Sequence, residues 1–332
     1  MNSFGRIFRI HLFGESHGKA IGVVIDGCPP GIEISAECFA QDLFRRKSGA
    51  SGTTTRIECD IPNIISGVYN DFSTGSPIML LFRNENTQSE TYASFSDLPR
   101  PGHVDFVVRE KYCGFADLRG SGHFSGRITL PLTAAGVVAK KIIAGITVSA
   151  ELVEAGGSKN IEDTVQNAVA KGDSIGGVIE CKATNLPVGL GEPFFDGLES
   201  LISHIVFAIP GIKAIEFGAG FSAASMKGSE HNDFILNEEG KTKTNHAGGI
   251  NGGISNGNEL FFRVAVKPAS SILLPQETYN IKSKKIEPLK IEGRHDSCFV
   301  LRVPPIIEAA TAIALADLSL LADKYKKSTT SP

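Results

Sequence analysis

Strand-like and helix-like segments follow one another irregularly along this chain, and that irregularity is the strongest constraint on its fold. Ile7, Arg9 and His11 alternate with Phe8, Ile10 and Leu12, which predicts a first strand, and residues 21–25 predict a second. Gly14-Glu15-Ser16-His17-Gly18 lies between them and is therefore expected on a connection. Ser35 can cap a helix running to about Arg46, with Phe39 and Leu43 four residues apart on its buried face. Its end would deliver Arg45, Arg46 and Lys47 into a loop rich in Gly, Ser and Thr. Further helices are expected over residues 133–143, 162–171, 195–209 and 306 to about 324, and strands over residues 177–183 and 259–266. A doubly wound parallel sheet would repeat strand and helix about every 30 residues, and no such repeat is present, so the expected class is α+β. No low-complexity linker divides the chain, and only the polar tail, residues 326–332, is expected to be disordered.

At 332 residues and 42% hydrophobic, the chain can bury a large core in one big domain or two ordinary ones. A net charge of -3 gives no global attraction for nucleic acid or acidic membrane surfaces, so any anion site must be a local cluster. The six cysteines form no C-x-x-C and are expected to be reduced thiols of a cytoplasmic protein. No metal is expected, because His295 and Cys298 are a single pair without a second. The N-terminus lacks the apolar core of a signal peptide, and no stretch reaches the roughly 18 apolar residues of a membrane span.

Gly14-Glu15-Ser16-His17-Gly18 fits G-x-S-x-G, the nucleophile elbow of serine hydrolases, and Ser16 makes that the rival reading from another reaction class. An elbow needs a helix after it, whereas Gly22-Val23-Val24-Ile25 reads as a strand. A second histidine lies in the turn Arg100-Pro101-Gly102-His103-Val104-Asp105, and a third in Arg294-His295-Asp296-Ser297-Cys298, where Asp296 and Arg294 could be no more than a surface ion pair. Gly120-Ser121-Gly122-His123-Phe124-Ser125-Gly126-Arg127 is glycine-rich without the spacing of a dinucleotide loop, and residues 245–257 hold five glycines that suit close approach of backbone to a planar or phosphorylated ligand.

Taken in order, these stretches resemble the chorismate synthase family over nearly the whole chain. The matching segments include residues 13–18, Arg45-Arg46, Thr74-Gly75-Ser76-Pro77-Ile78, residues 100–105, Lys111-Tyr112, Gly189-Leu190-Gly191, Gly218-Ala219-Gly220-Phe221, residues 245–257, residues 267–272 and residues 293–298. The resemblance implies a lyase that removes phosphate from 5-enolpyruvylshikimate 3-phosphate by anti 1,4-elimination and requires reduced FMN, with NADPH as a candidate reductant. It implies one α+β domain, residues 1–325, with helices packed between antiparallel sheets, assembled as a homotetramer. His17 would be the acid near the departing phosphate, and His103 would keep the reduced flavin in its reactive protonation state. Asp296 would assist removal of the C6 proton, with Ser16 in the relay. Arg46, Arg100, Arg127 and Arg294 would bind the substrate's phosphate and carboxylates, Arg46 also being a candidate contact for NADP. The implied flavin contacts are His123, Phe124, Ser125, Pro210, Gly211, Gly252, Lys267, Pro268, Ala269, Ser270, Ser271 and Arg294.

Three positions depart from the commoner family pattern. His123-Phe124-Ser125-Gly126-Arg127-Ile128-Thr129-Leu130 stands where R-S-S-A-R-E-T-A is usual, Gly52 and Leu132 stand where many members carry arginines, and Lys47 could restore part of the charge. A flavin-binding protein without catalysis would need neither His17 nor the arginine set.

Overall fold

In the computed structural model, residues 1–56, 58–87, 95–291, 293 and 295–326 are described, so Arg294 and residues 327–332 of the expected tail lie outside the described residues. Two antiparallel sheets enclose two long helices. The first sheet runs in the order Ser3–Phe4, Arg9–Gly14, Ala20–Asp26, Ile78–Arg83, Asn63–Ser66. The second runs Ile212–Phe217, Leu260–Val266, Gly177–Thr184, Thr147–Ala155. Helix Thr129–Ile142 packs on the first sheet, helix Pro304–Lys326 packs on the second, and the two helices pack on each other. This is an α+β fold built on one large hydrophobic core, with a small separate cluster of Phe95, Leu289 and Ile291.

The helix pair can sit at the centre because both helices are lined with small residues. A Cβ on Gly136 would lie 2.2 Å from Cβ of Ala309, so glycine here sets how closely the helices approach. Of the later helix, residues 304–322 are long and apolar enough to cross a membrane, but 78% of that stretch is buried inside the fold, as a core helix must be. The two central strands of the second sheet, Gly177–Thr184 and Leu260–Val266, alternate buried and half-buried residues; in Leu260–Val266, every second residue is buried.

Several boundaries differ from the sequence expectations for identifiable reasons. The first long strand begins at Arg9, because the backbone N–H groups of Arg6, Ile7 and Phe8 go to the buried carboxylate of Asp317 and not to a neighbouring strand. The expected helix at 133 begins at Thr129, since Pro131 falls in the first turn, where a missing N–H costs nothing. Ser35 makes no capping hydrogen bond, and the segment after it opens as a 3-10 turn, Ala36–Phe39, before helix Ala40–Arg46. The expected face is nonetheless buried, with Phe39 and Leu43 in the core. Lys326, assigned to the tail, ends the last helix.

Candidate active site

A cavity of about 750 Å³ gathers segments that are remote in sequence: the 46–60 loop, the 100–104 turn, residues 120–132, residues 204–212, residues 267–271 and residues 295–306. One side of it is cationic. Arg46, at the end of helix Ala40–Arg46, is buried, donates from Nε to Thr129 Oγ1 at 3.2 Å and pairs with Asp60 at 3.4 Å. Arg127 donates to the other oxygen of Asp60 and, from Nε, to Asn84 Oδ1 at 3.1 Å. Asp60 therefore bridges two buried guanidiniums. Burial, joined by repulsion from Arg302 and Arg127, lowers the Arg46 guanidinium to about 9, which still leaves it charged at neutral pH.

Two arginines that the sequence reading passed over complete this side. Arg56 donates to Ser16 Oγ at 3.1 Å and to Glu58 at 2.7 Å. Arg302 donates to Asp296 Oδ2 at 2.9 Å, while Asp296 Oδ1 accepts from the Thr54 backbone N–H at 2.8 Å. Asp296 is thus a half-buried anchor of the 52–56 loop, paired with Arg302. The departure at Gly52 also has a physical basis: its φ is +83°, and a Cβ there would come within 2.4 Å of Val165 Cγ1. Lys47 does not line the cavity; the extra positive charge comes from Arg56 and Arg302.

The two histidine motifs meet at an unusual turn. Gly120, Ser121 and Gly122 take φ values of 57°, 68° and 53° in succession. A Cβ on Gly120 would fall 2.4 Å from Cδ2 of His17, and the Gly122 carbonyl accepts from the Ser16 N–H at 3.0 Å. His17 packs behind this turn and is not on the cavity wall, whereas Ser16, Gly120 and Ser121 are. On the other side, Ser121 Oγ lies 3.0 Å from Nε2 of His103, and Nδ1 of His103 lies 2.7 Å from Oδ1 of the buried Asp105. Arg100 donates to both oxygens of Asp105, at 2.7 and 2.8 Å. Burial opposes ionisation of Asp105, but the hydrogen bonds from Arg100 and His103 outweigh it and hold the carboxyl well below its ordinary range. Burial lowers His103, with Arg100 and Lys267 acting in the same direction and Asp105 against it, which favours the neutral ring.

Apolar side chains line the same cavity, among them Leu132, Ile209, Ile212, Phe299 and Ile306. His123, Phe124, Ser125, Pro210, Gly211 and Lys267 to Ser271, the residues expected to hold flavin, line the cavity. Lys267 Nζ donates to the Gly102 carbonyl at 2.6 Å and to Ser270 Oγ at 3.0 Å, joining this segment to the His103 turn. Gly252 is outside the lining, in the turn of the short hairpin Ile250–Asn251 and Ile254–Ser255. Ser16 follows a strand that pairs antiparallel with the next strand, Ala20–Asp26, so the strand-turn-helix geometry of a nucleophile elbow is not formed. Among the described residues, no group of three or more His, Cys, Asp or Glu side chains could hold a metal.

A sequence model of the family described as chorismate synthase matches residues 8–320. The chorismate synthase of Chitinophaga pinensis is 59% identical over 328 residues, covering 98% of this chain and 99% of that protein. The chorismate synthase of Pyrococcus abyssi is 41% identical, covering 94% of this chain and 96% of its own. A crystal structure of chorismate synthase superposes with a TM-score of 0.75 at 28% identity, covering 96% of this chain and 93% of the other. With a family match across this length and relatives this similar, the chain belongs to the chorismate synthase family of lyases.

Proposed function

We propose that this chain performs the anti 1,4-elimination of the 3-phosphate and a C6 hydrogen from 5-enolpyruvylshikimate 3-phosphate, with reduced FMN bound in the same cavity. The observation that carries this reading is the make-up of the cavity lining, which brings buried Arg46, Arg100 and Arg127 together with an apolar set and with His103 and Ser16. A volume of about 750 Å³ lies in the range of pockets that enclose a cofactor-sized ligand. The residues fit FMN: the apolar side chains suit a planar ring system, and Lys267, Ser270, Ser271, Ser125 and His123 offer polar contacts to its edge and phosphate. When bound, reduced FMN supplies the electron density that helps phosphate depart without net redox change.

The protein's own residues would do the rest. Arg46, Arg127 and Arg56 neutralise the phosphate and carboxylates in a water-poor site, where charge-assisted bonds are strongest. His17 protonates the leaving phosphate, with Ser16 as the hydroxyl between it and the cavity. Asp296, held by Arg302 and Thr54, accepts the C6 proton. Arg294 is retained as a further substrate contact, and Gly252 is withdrawn from the set facing this cavity. NADPH is the candidate reductant, and Arg46 would be a contact for it. Residues 1–325 are read as one catalytic domain of a cytoplasmic homotetramer.

Calorimetry tests the shared cavity. FMN binding should tighten in the presence of the substrate, because its phosphate and two carboxylates would draw the arginines over the cofactor. Equal FMN affinity with and without the substrate would contradict it.

A further inference from the structure

We propose that Asn84 is a positioning residue: its one side-chain amide fixes the turn that carries Ser16 and His17 relative to the Arg127 guanidinium. Its consequence for turnover rests on the function proposed above, whereas the link itself does not.

Strand register brings Asn84 to the turn. Ile78–Arg83 pairs with Ala20–Asp26 so that Arg83 stands opposite Ala20, and the next residue, Asn84, therefore meets the connection that precedes Ala20; its own N–H donates to the Lys19 carbonyl at 3.3 Å. That connection is closed by the Gly18 N–H on the Glu15 carbonyl at 3.0 Å. Asn84 Nδ2 donates to the Glu15 carbonyl at 3.0 Å and to the Gly18 carbonyl at 2.9 Å, so it holds both ends of a turn whose middle residues are Ser16 and His17. With its oxygen, Asn84 accepts from Arg127 Nε at 3.1 Å. The amide can face only one way, because carbonyls accept and a guanidinium N–H donates; turned over, it would set oxygen against two oxygens and N–H against N–H.

The two groups that Asn84 joins have little room to shift. The His17 ring lies against the backbone of Gly120, where a Cβ would come within 2.4 Å of it, and Ser16 is met by Arg56, which donates to its hydroxyl at 3.1 Å and to its carbonyl at 3.3 Å. Any displacement of the turn therefore moves the Ser16 hydroxyl on the cavity wall and His17 behind it. Asn84 itself is half-buried and is not part of the cavity lining, whereas Ser16 and Arg127 are. An effect of Asn84 on a bound ligand has to pass through the turn or through Arg127.

The neutrality of the amide is a second observation. Asp60 already accepts from Arg127 and pairs with Arg46 as well, so it offsets the charge of two guanidiniums only in part. A neutral acceptor at Nε orients the Arg127 plane and leaves its remaining charge for an anionic ligand. A carboxylate in the same place would compensate that charge, and it would also turn an oxygen toward the Glu15 and Gly18 carbonyls and release the turn.

The test compares the parent, Asn84→Ala and Asn84→Asp as full chains. Amide hydrogen exchange read by mass spectrometry should speed about 10-fold or more over residues 14–18 in both variants, with helix Thr129–Ile142 at the parental rate at early times. With 5-enolpyruvylshikimate 3-phosphate and reduced FMN, Asn84→Ala should lose about 10-fold or more in kcat, with a smaller rise in KM. Asn84→Asp should lose kcat likewise and raise KM beyond that of Asn84→Ala, a split that a residue serving only the stability of the fold would not produce. Parental exchange over residues 14–18, or faster exchange there with kcat and KM both parental, would overturn the proposal. Should Asn84→Ala not fold, Asn84→Asp carries both measurements. A parent without turnover but with the expected difference in exchange would defeat the functional reading alone.

Discussion

Asp60 and Arg127 form an ion pair in which both side chains are less than a tenth exposed, and the second oxygen of Asp60 reaches Arg46 at 3.4 Å. A carboxylate thus sits between the two guanidiniums best placed to receive a substrate anion. Asp60→Asn would leave two buried cations under-compensated, a loss on the order of 3–5 kcal/mol. An anion from solution could replace the missing charge, so added phosphate should raise the Tm of the variant more than that of the parent. Thermal unfolding with and without phosphate measures this, and equal responses would show that the two arginines do not form an anion site.

His103 gives a pH dependence of defined sign. Burial lowers its folded-state pKa below 6.5, so between the two values the unfolded chain binds more protons than the folded one. Its contribution to stability is full above about pH 6.5 and is lost as pH falls below it, by at most about 1.4 kcal/mol per pH unit. His103→Gln should flatten the stability profile below about pH 6.5, measured by urea unfolding. A profile as steep as the parent's would assign the slope to other groups.

The sequence revealed the motifs better than their partners. Ser16 and His17 were legible because a pentapeptide bounded by glycines falls between two alternating apolar runs, and the hairpin is there. Leu198, Leu201, Ile202 and Ile205 gave their helix by spacing, and all four are buried. Arg56, Asp60 and Arg302 gave no local signal. A charged residue in a loop has the same sequence context whether it faces water or a buried partner; Asp296 meets Arg302 six residues on, and the Thr54 N–H reaches Asp296 only across the fold. The strand Thr147–Ala155 was missed although Thr147 to Leu152 alternate polar and apolar residues, with Val148, Ala150 and Leu152 on the half-buried face. The Asp105 contact was within reach: a histidine two residues before a carboxylate in a Pro-Gly turn can fold back on it.

Gly52→Arg tests whether the commoner arginine could be restored. The left-handed backbone and the approach to Val165 make any side chain costly here, so we expect a loss of about 1–3 kcal/mol with no gain in substrate affinity. A stable variant with tighter substrate binding would mean that this loop adopts another path when occupied.

Asp296→Asn separates chemistry from structure. The amide keeps the acceptor used by the Thr54 N–H but cannot take up a proton. The maximal rate should fall by roughly 10² or more, with only few-fold changes in substrate and FMN affinity. Single-turnover kinetics with both ligands bound would show an unchanged rate if Asp296 served only to hold Arg302 and the loop.

The central claim is that this cavity eliminates phosphate from 5-enolpyruvylshikimate 3-phosphate with reduced FMN. The direct measurement is anaerobic incubation of the purified protein with that substrate and dithionite-reduced FMN, following chorismate and inorganic phosphate together. The account predicts one phosphate per chorismate, many turnovers per protein and none with oxidised FMN. Intact substrate after incubation with reduced FMN, or phosphate released without chorismate, would contradict it.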